Sequence, residues 1–420
     1  MVQVDGQETK VAARLTHKVF FERDDIEFTF QWLLSFVHCG GVTQGEVFKL
    51  ARNIDPNSLA SWKTEFEKEA AKIEATAENC LKKGHRISAS EAFIRAHSYY
   101  RAAFYGAFPD EPDFARYHGK SVECFRKALD AKSERIPHEW VEVEYKGYKF
   151  PGCFLKAEHG NAPKPTIIFH NGGETHKEDT YFLGGQAAID RGYNALIVDL
   201  PYDVCVRFYE PEATARNFPR EELHNVYRAT TDFVLARPDV DPERLVVSGM
   251  SYGGAKTMVH ASCDDRFAAA VPNSPVYSMA SFIERGMPSF LRGTAEEAAE
   301  QSKKMPYTGQ VLFAGSAWSH GFDSIAEWYN VAREAIEVDP QDVKCPLLSM
   351  YSEAEHPEMQ RQAIDTYEKA PNEKNALFKG TEEDGADLHC QLNNLPLSYQ
   401  VMFDWLDEVL DYNIQIPAPQ

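Results

Sequence analysis

The spacing of apolar and polar positions divides the chain into two parts near residue 136. Up to about residue 135, apolar residues recur with the period of an amphipathic helix, and few segments alternate as strands do. After residue 136, apolar runs of strand length alternate with helical segments. We therefore predict an N-terminal helical domain over residues 1–135 and an α/β domain over residues 136–420.

The first part contains four predicted helices, and two aromatic clusters lie in them, FTFQWLLSF and HSYYRAAFYGAF. The helices cover DIEFTFQWLLSFVHCGG, SLASWKTEFEKEAAKIEATAENCLKKG, AFIRAHSYYRAAFYGAF and PDFARYHGKSVECFRKALDAKS. Ser88 and Glu91 are spaced as a capping box that would open the third helix. We expect this region to serve as a cap over the site or as a dimerisation surface. Most of its rings should pack in a core, and some should form a wall of an apolar pocket.

The second part has the pattern of a mainly parallel sheet that helices cover on both faces. WVEVEYKGYKFPGCFLKA alternates in period two around Lys146 and Gly147, which predicts a hairpin. The later predicted strands are PTIIFHNGG, YNALIVDLP, RLVVSGM, FAAAVPNSP, CPLLSMYSE and NALFKG. These runs are apolar without alternation, as in strands buried on both faces. An insertion at about 275–340 is predicted to form a helical lid above the strand ends.

One glycine-rich segment carries a candidate nucleophile. VVSGMSYGG places Ser251 between Gly249 and Gly253, directly after an apolar strand and before a predicted helix. A nucleophilic serine on a tight strand-to-helix turn requires this order, because side chains at the flanking positions would clash. The alternative is a serine in an ordinary glycine turn. The strand before Ser251 and the helix after it favour the nucleophile over this alternative.

A serine nucleophile needs a general base, and His389 is the best-placed histidine. It lies in GTEEDGADLHCQL, between the last predicted strand and the last predicted helix. In this type of site the chain order is serine, acid, histidine. Three other histidines compete less well: His260 falls within a helix, His320 within the insertion, and His356 beside the candidate acid.

The acid is expected in the loop SEAEHP, which follows the predicted strand CPLLSMY. Glu355 stands three residues beyond the small residue that ends the strand, where this carboxylate is usually found. A glutamate can hold the imidazole tautomer and offset its positive charge as an aspartate does. Glu353 is the alternative acid, and Asp365 on the following helix is a weaker one.

Backbone amides are the expected oxyanion donors. One is the N–H group of Tyr252, which follows the candidate nucleophile. The other is expected in the loop after the strand TIIFH, at Gly173 or Glu174, where Gly172 and Gly173 let the chain turn its amides inward. A plain glycine turn is the alternative for this loop.

Composition and charge exclude several classes of partner. The formal net charge is -20 and no Lys/Arg cluster is present, so nucleic acid and anionic membranes are poor partners. No apolar stretch is long enough to span a bilayer, and no signal-peptide pattern is present, so we expect a cytoplasmic protein. The eight cysteines occur singly, without a Cys-x-x-Cys pair, and we expect neither a metal nor a cofactor.

These motifs resemble those of one known group of enzymes. With the helical N-terminal region, FHNGGETHKED, GMSYGGA, SEAEH and DGADLHCQ resemble the α/β-hydrolases grouped with 2,6-dihydroxypseudooxynicotine hydrolase and with the fungal polyketide-shortening hydrolases of pigment pathways. The resemblance implies an α/β-hydrolase fold with an added N-terminal helical domain, and a homodimer. It also implies cofactor-independent cleavage of a carbon–carbon bond beside a carbonyl group of an aromatic or polyketide small molecule.

Carried over residue by residue, the resemblance places the nucleophile on Ser251, the acid on Glu355 and the base on His389. Its oxyanion loop falls on Gly172 and Gly173, and Glu178 lies in the KED that follows. The sequence departs from the family in two loops. The acid loop contains only glutamates where the family usually has aspartate, and DLPYD at 199–203 stands where Asp-Gly-Pro-Gly is common.

We therefore expect a cofactor-independent serine hydrolase that acts on a bulky aromatic or polyketide-like carbonyl compound. The reaction would be C–C or ester hydrolysis in secondary metabolism or aromatic catabolism. One alternative is an acyltransferase or cyclase that closes a ring with the same triad. Another is a catalytically inactive hydrolase-like binding protein.

Overall fold

The computed structural model describes residues 2–4, 7–9, 17–157 and 162–413, and their contacts group into two units. The first unit comprises Met1–Ile136 and Met287–Asn330, and the second comprises Pro137–Gly286 and Val331–Gln420. Much of the predicted insertion therefore groups with the N-terminal helices. The predicted roles of this helical region, a cap over the site and a dimerisation surface, stay predictions.

The helices are numbered along the chain. They are α1 (Asp24–Leu34), α2 (Gln44–Asn53), α3 (Leu59–Lys82), α4 (Arg86–Phe104), α5 (Pro112–Ala131), α6 (Lys177–Thr180), α7 (Gln186–Asp190), α8 (Val206–Tyr209), α9 (Arg220–Leu235), α10 (Tyr252–Cys263), α11 (Met279–Gly286), α12 (Ala295–Ser302), α13 (Tyr307–Ser319), α14 (Ile325–Ala335), α15 (Pro357–Lys369) and α16 (Leu395–Val409).

The strands are numbered in the same way. They are β1 (Val2–Val4), β2 (Gln7–Thr9), β3 (His138–Tyr145), β4 (Tyr148–Leu155), β5 (Lys164–His170), β6 (Asn194–Val198), β7 (Val240–Met250), β8 (Ala269–Asn273), β9 (Leu348–Ser352) and β10 (Ala376–Gly380). Strands β1 and β2 form a small antiparallel pair, and the other eight form one sheet.

In the first unit, α3, α4 and α5 pack against one another around an aromatic core. Trp62 of α3 donates its indole N–H to the carbonyl oxygen of Ala102 on α4, at 2.8 Å. Within the same unit, Trp318 of α13 makes an edge contact with Phe114 of α5, with ring centroids 5.1 Å apart. Most rings of the two predicted aromatic clusters are buried: Phe30, Trp32, Phe36, Tyr99, Tyr100 and Phe104.

The predicted capping box at Ser88 and Glu91 is wrong. Helix α4 begins at Arg86, so both residues lie inside it. Helix α3 ends at Lys82, and Gly84 adopts a positive φ of 80° that reverses the chain direction. Because this turn needs so few residues, the next helix starts before the serine is reached.

The second unit is built on the eight-stranded sheet, in the order β10-β9-β8-β7-β5-β6-β4-β3. Strand β4 pairs antiparallel with both neighbours, and the remaining pairs are parallel. The predicted hairpin is present: Lys146 and Gly147 have φ values of 50° and 88°, which suit a two-residue hairpin turn. Every residue of β6, β8 and β9 is buried, as expected for strands covered on both faces.

The parallel strands direct their carboxyl ends to one edge of the sheet, where ligands bind in folds of this kind. The loops after β5, β7, β9 and β10 contain the candidate site residues. Among the described residues, no helix combines the length and apolarity needed to cross a membrane.

Candidate active site

Ser251 lies on a sharp turn between β7 and α10. Its φ and ψ are 60° and -122°, a conformation that few non-glycine residues adopt, and its N–H donates to the carbonyl oxygen of Asn273 at 2.9 Å. A Cβ atom at Gly249 would collide with the Gly253 carbonyl, and one at Gly253 with the His170 carbonyl. Both glycines are therefore required by close backbone approach, as a nucleophile elbow demands.

The structure brings Ser251, His389 and Glu355 into one hydrogen-bonded chain. Ser251 Oγ lies 2.9 Å from His389 Nε2, and His389 Nδ1 lies 2.7 Å from Glu355 Oε1. The histidine and the glutamate are buried, with 5% and 2% of their surfaces exposed. The arrangement allows the imidazole to accept the serine proton while the carboxylate stabilises the resulting positive charge.

The Glu355 carboxylate is surrounded by hydrogen-bond donors. Besides His389, its Oε1 atom accepts hydrogen bonds from the Ser274 hydroxyl and from the N–H of Cys390, the latter at 3.1 Å. Its Oε2 atom accepts from the N–H of Ser352 at 3.2 Å. Burial alone would raise the pKa of this carboxyl group, but the donors, above all His389, hold it below its ordinary value.

The alternative acids lie elsewhere. Glu353 is exposed and pairs with Lys379, with 2.8 Å between Oε1 and Nζ. Asp365 forms hydrogen bonds with Tyr277 and Arg361 on another part of the surface. Of the three candidate carboxylates, Glu355 is the one that contacts the imidazole of His389.

The competing histidines also occupy other environments. His260 is buried, and its two ring nitrogens lie 3.0 Å from His170 Nε2 and from Thr231 Oγ1. His356 accepts a hydrogen bond from a backbone N–H at the start of α15. His320 Nδ1 lies 2.6 Å from the Ser316 carbonyl oxygen within the first unit.

The glycine loop after β5 packs against the start of α10. A Cβ atom added at Gly173 would lie 3.5 Å from Tyr252 Cβ, so the two residues are immediate neighbours. The N–H of Gly172 is already bonded to Thr175 Oγ1 at 2.5 Å, so it is not available as an oxyanion donor. Within the described part of the chain, no group accepts a hydrogen bond from the Gly173 N–H.

Two buried lysine–aspartate pairs were not predicted from the sequence. Lys177 Nζ lies 2.8 Å from Asp199 Oδ2 and 2.7 Å from Glu178 Oε1, and Lys256 Nζ pairs with Asp203. Burial alone would lower the pKa of Lys177, but the two carboxylates raise it well above its ordinary value. Burial raises the pKa of Asp203 to about 6, although the Lys256 ammonium opposes that rise. In the sequence, the feature that could have indicated these pairs is the presence of two aspartates in DLPYD, residues 199–203.

The site and the sheet together define a class of protein: the chain has the α/β-hydrolase fold. Solved structures agree, since that of 2,6-dihydroxy-pseudo-oxynicotine hydrolase aligns with a TM-score of 0.69 at 21% identity, covering 90% of this chain and 95% of that one. AbyA5 aligns with a TM-score of 0.59 at 16% identity, covering 92% and 95% of the two chains. The predicted fold class is confirmed.

Relatives of similar length are fungal hydrolases. The chain is 27% identical to 20-hydroxy-prefusarin hydrolase FUS2 of Gibberella moniliformis, over 93% of this chain and 97% of that one. It is 25% identical to hydrolase acrC of Aspergillus aculeatus, with the same two coverages. The model of the prolyl oligopeptidase family matches residues 212–312, which include the Ser251 turn. The predicted resemblance is confirmed, and the relatives support a hydrolase.

We expect Glu355→Gln to lower kcat on an activated aryl ester by a factor on the order of 10²–10⁴. Glutamine cannot offset the imidazolium charge and favours the wrong histidine tautomer. The matched control is Glu353→Gln, which breaks an exposed ion pair and should change kcat by less than about twofold. Steady-state kinetics measure both, and a larger loss in Glu353→Gln would transfer the acid role to Glu353.

The rate should also depend on the protonation of His389. Burial lowers the pKa of His389, but its interactions with Cys390 and with the Glu355 carboxylate outweigh burial and raise the pKa to about 10. Because only the neutral imidazole can accept the serine proton, kcat/KM should rise with pH, and its acidic limb should lie above the ordinary histidine pKa of about 6.5. The Glu355→Gln variant should shift this limb to lower pH. A wild-type limb at or below pH 6.5 would contradict this account.

Proposed function

We propose that the protein is a cofactor-independent serine hydrolase. In the first step, Ser251 Oγ attacks a substrate carbonyl carbon while His389 accepts the hydroxyl proton and Glu355 stabilises the imidazolium. The continuous chain of short hydrogen bonds from Ser251 to Glu355 carries this proposal. Burial of the acid and the base supports it, since charge–charge stabilisation is stronger away from water.

The oxyanion formed in this step would be bound by backbone amides of Tyr252 and of the Gly173–Glu174 loop. Tyr252 begins α10, so its amide lies at the partially positive end of a helix. The close approach of Gly173 to Tyr252 allows one oxygen to reach donors from both segments. When the tetrahedral intermediate collapses, the leaving group departs with its electron pair and takes the proton from His389. Water then hydrolyses the acyl-enzyme and releases a carboxylic acid.

For the substrate, we propose a bulky aromatic or polyketide-like carbonyl compound. Relatives support this class, because one is named as a hydrolase of 20-hydroxy-prefusarin and a structural neighbour as a hydrolase of 2,6-dihydroxy-pseudo-oxynicotine. If the broken bond is C–C, the leaving group is a carbanion, which needs a conjugated or aromatic carbonyl to delocalise its charge. Homodimer assembly, a cytoplasmic location and independence of metals stay predictions.

Substitution of the nucleophile tests the proposal. We expect Ser251→Ala to fold normally and to lose more than about 10³-fold in kcat on an activated aryl ester, because no other group can form the acyl-enzyme. The same variant should fail to react with a fluorophosphonate probe that labels the wild type. Ser262→Ala, which changes a half-buried serine of α10, is the matched control and should behave as the wild type. A loss in Ser251→Ala smaller than about tenfold would refute the nucleophile assignment.

Isotopically labelled water distinguishes hydrolysis from ring closure. With a conjugated ketone or ester substrate in ¹⁸O-labelled water, hydrolysis should place one ¹⁸O atom in the carboxylic acid product, which mass spectrometry detects. If the substrate's own hydroxyl or amine captures the acyl-enzyme instead, the cyclic product contains no label. An unlabelled cyclic product would assign the protein to acyl transfer.

A further inference from the structure

The loop that follows β6 contains two buried carboxylates, and each is paired with a buried lysine from a different segment. Asp199 pairs with Lys177, which begins α6, and Asp203 pairs with Lys256 of α10. The side chains of all four residues are at most 5% exposed. Through these two pairs, the loop after β6 contacts both segments that carry the proposed oxyanion donors. These segments are the glycine loop after β5 and the start of α10.

Asp199 anchors the glycine loop at both ends. Its Oδ1 atom accepts a hydrogen bond from Asn171 Nδ2 at 3.1 Å, and another from the backbone N–H of Lys177 at 3.0 Å. Gly173 lies between these two anchors. A single carboxylate oxygen therefore fixes the separation of the two ends of the loop.

Asp203 anchors the other segment through Lys256. The Lys256 ammonium lies 5.1 Å from the centroid of the Tyr252 ring, within the range of a cation–π interaction. The second oxygen of Asp203 accepts from the N–H of Leu200 at 2.8 Å, which holds the carboxylate in its own loop. Tyr252 is thus bounded by Lys256 at its ring and by Gly173 near its Cβ atom.

We propose that Asp203 and Lys256, with Asp199 and Lys177, are positioning residues that set the distance between the two oxyanion donors; this inference rests on the proposed function. Stability does not explain why the pairs are charged. An apolar pair of similar volume is often as stable as a buried ion pair, because desolvation offsets the attraction. The ion pair instead fixes the direction of each lysine side chain toward one carboxylate.

The test replaces both members of one pair, since removal of a single partner would leave an unpaired buried charge. In the double variant Asp203→Asn/Lys256→Met, we expect a melting temperature within a few degrees of the wild type. On an activated aryl ester, kcat should fall about 10–100-fold, somewhat less than for loss of a whole oxyanion donor, with KM changed less than about threefold. An aryl boronic acid, which forms a tetrahedral adduct with the serine, should bind more weakly by the same factor as kcat falls.

The control double variant Glu353→Gln/Lys379→Met removes an exposed lysine–carboxylate pair from the same unit and should leave kcat and boronic acid affinity unchanged. Unchanged kcat and boronic acid affinity in Asp203→Asn/Lys256→Met would overturn the inference. A loss of kcat that is fully accounted for by a smaller fraction of folded protein would also overturn the inference. If wild-type Ser251 does not react with a fluorophosphonate, the proposed function itself fails and this inference fails with it.

Discussion

Burial of the Glu355 carboxylate is the constraint on which the rest of the site depends. A buried charge is costly unless donors surround it, and here they come from three places along the sheet edge. Ser274 follows β8, Ser352 ends β9, and His389 and Cys390 follow β10. The requirement to satisfy one carboxylate therefore fixes the relative positions of three strand ends. The same interaction orients the imidazole toward the serine.

A second constraint acts at the Ser251 turn, where backbone atoms approach so closely that only glycine fits on either side. The positive φ of Ser251 and the adjacent helix start follow from this packing. Strained backbone of this kind persists where surrounding structure over-determines it, and such strain is common at functional sites. Ser274 and Cys390 also have positive φ values, of 59° and 56°, and both donate to Glu355. Strain and hydrogen bonding are thus concentrated at the same residues.

Much of this arrangement follows from sequence pattern. Apolar runs located the parallel strands, and the carboxyl ends of those strands meet at one edge, so Ser251, Glu355 and His389 were expected to converge. Spacing favoured Glu355 as the acid but left Glu353 open, because both follow the same strand. The choice depends on which side chain is buried, and that requires the packing of the neighbouring loops.

Other features had no reliable signal. A lysine in a helix is usually exposed, so the burial of Lys256 could not be inferred without knowing that Asp203 faces it. The start of α4 was missed because the Gly84 turn took precedence over a good capping sequence. That residues 287–330 group with the N-terminal helices depends on contacts between segments far apart in the chain, which periodicity does not report.

The most direct test of the central claim is a crystal structure of the protein after reaction with an aryl phosphonate. We predict a phosphorus–oxygen bond to Ser251 Oγ, with the phosphonyl oxygen about 2.7–3.1 Å from the amide nitrogens of Tyr252 and of Gly173 or Glu174. His389 Nε2 should lie within hydrogen-bond distance of the serine oxygen. An adduct on another residue, or a phosphonyl oxygen directed to solvent, would contradict the account.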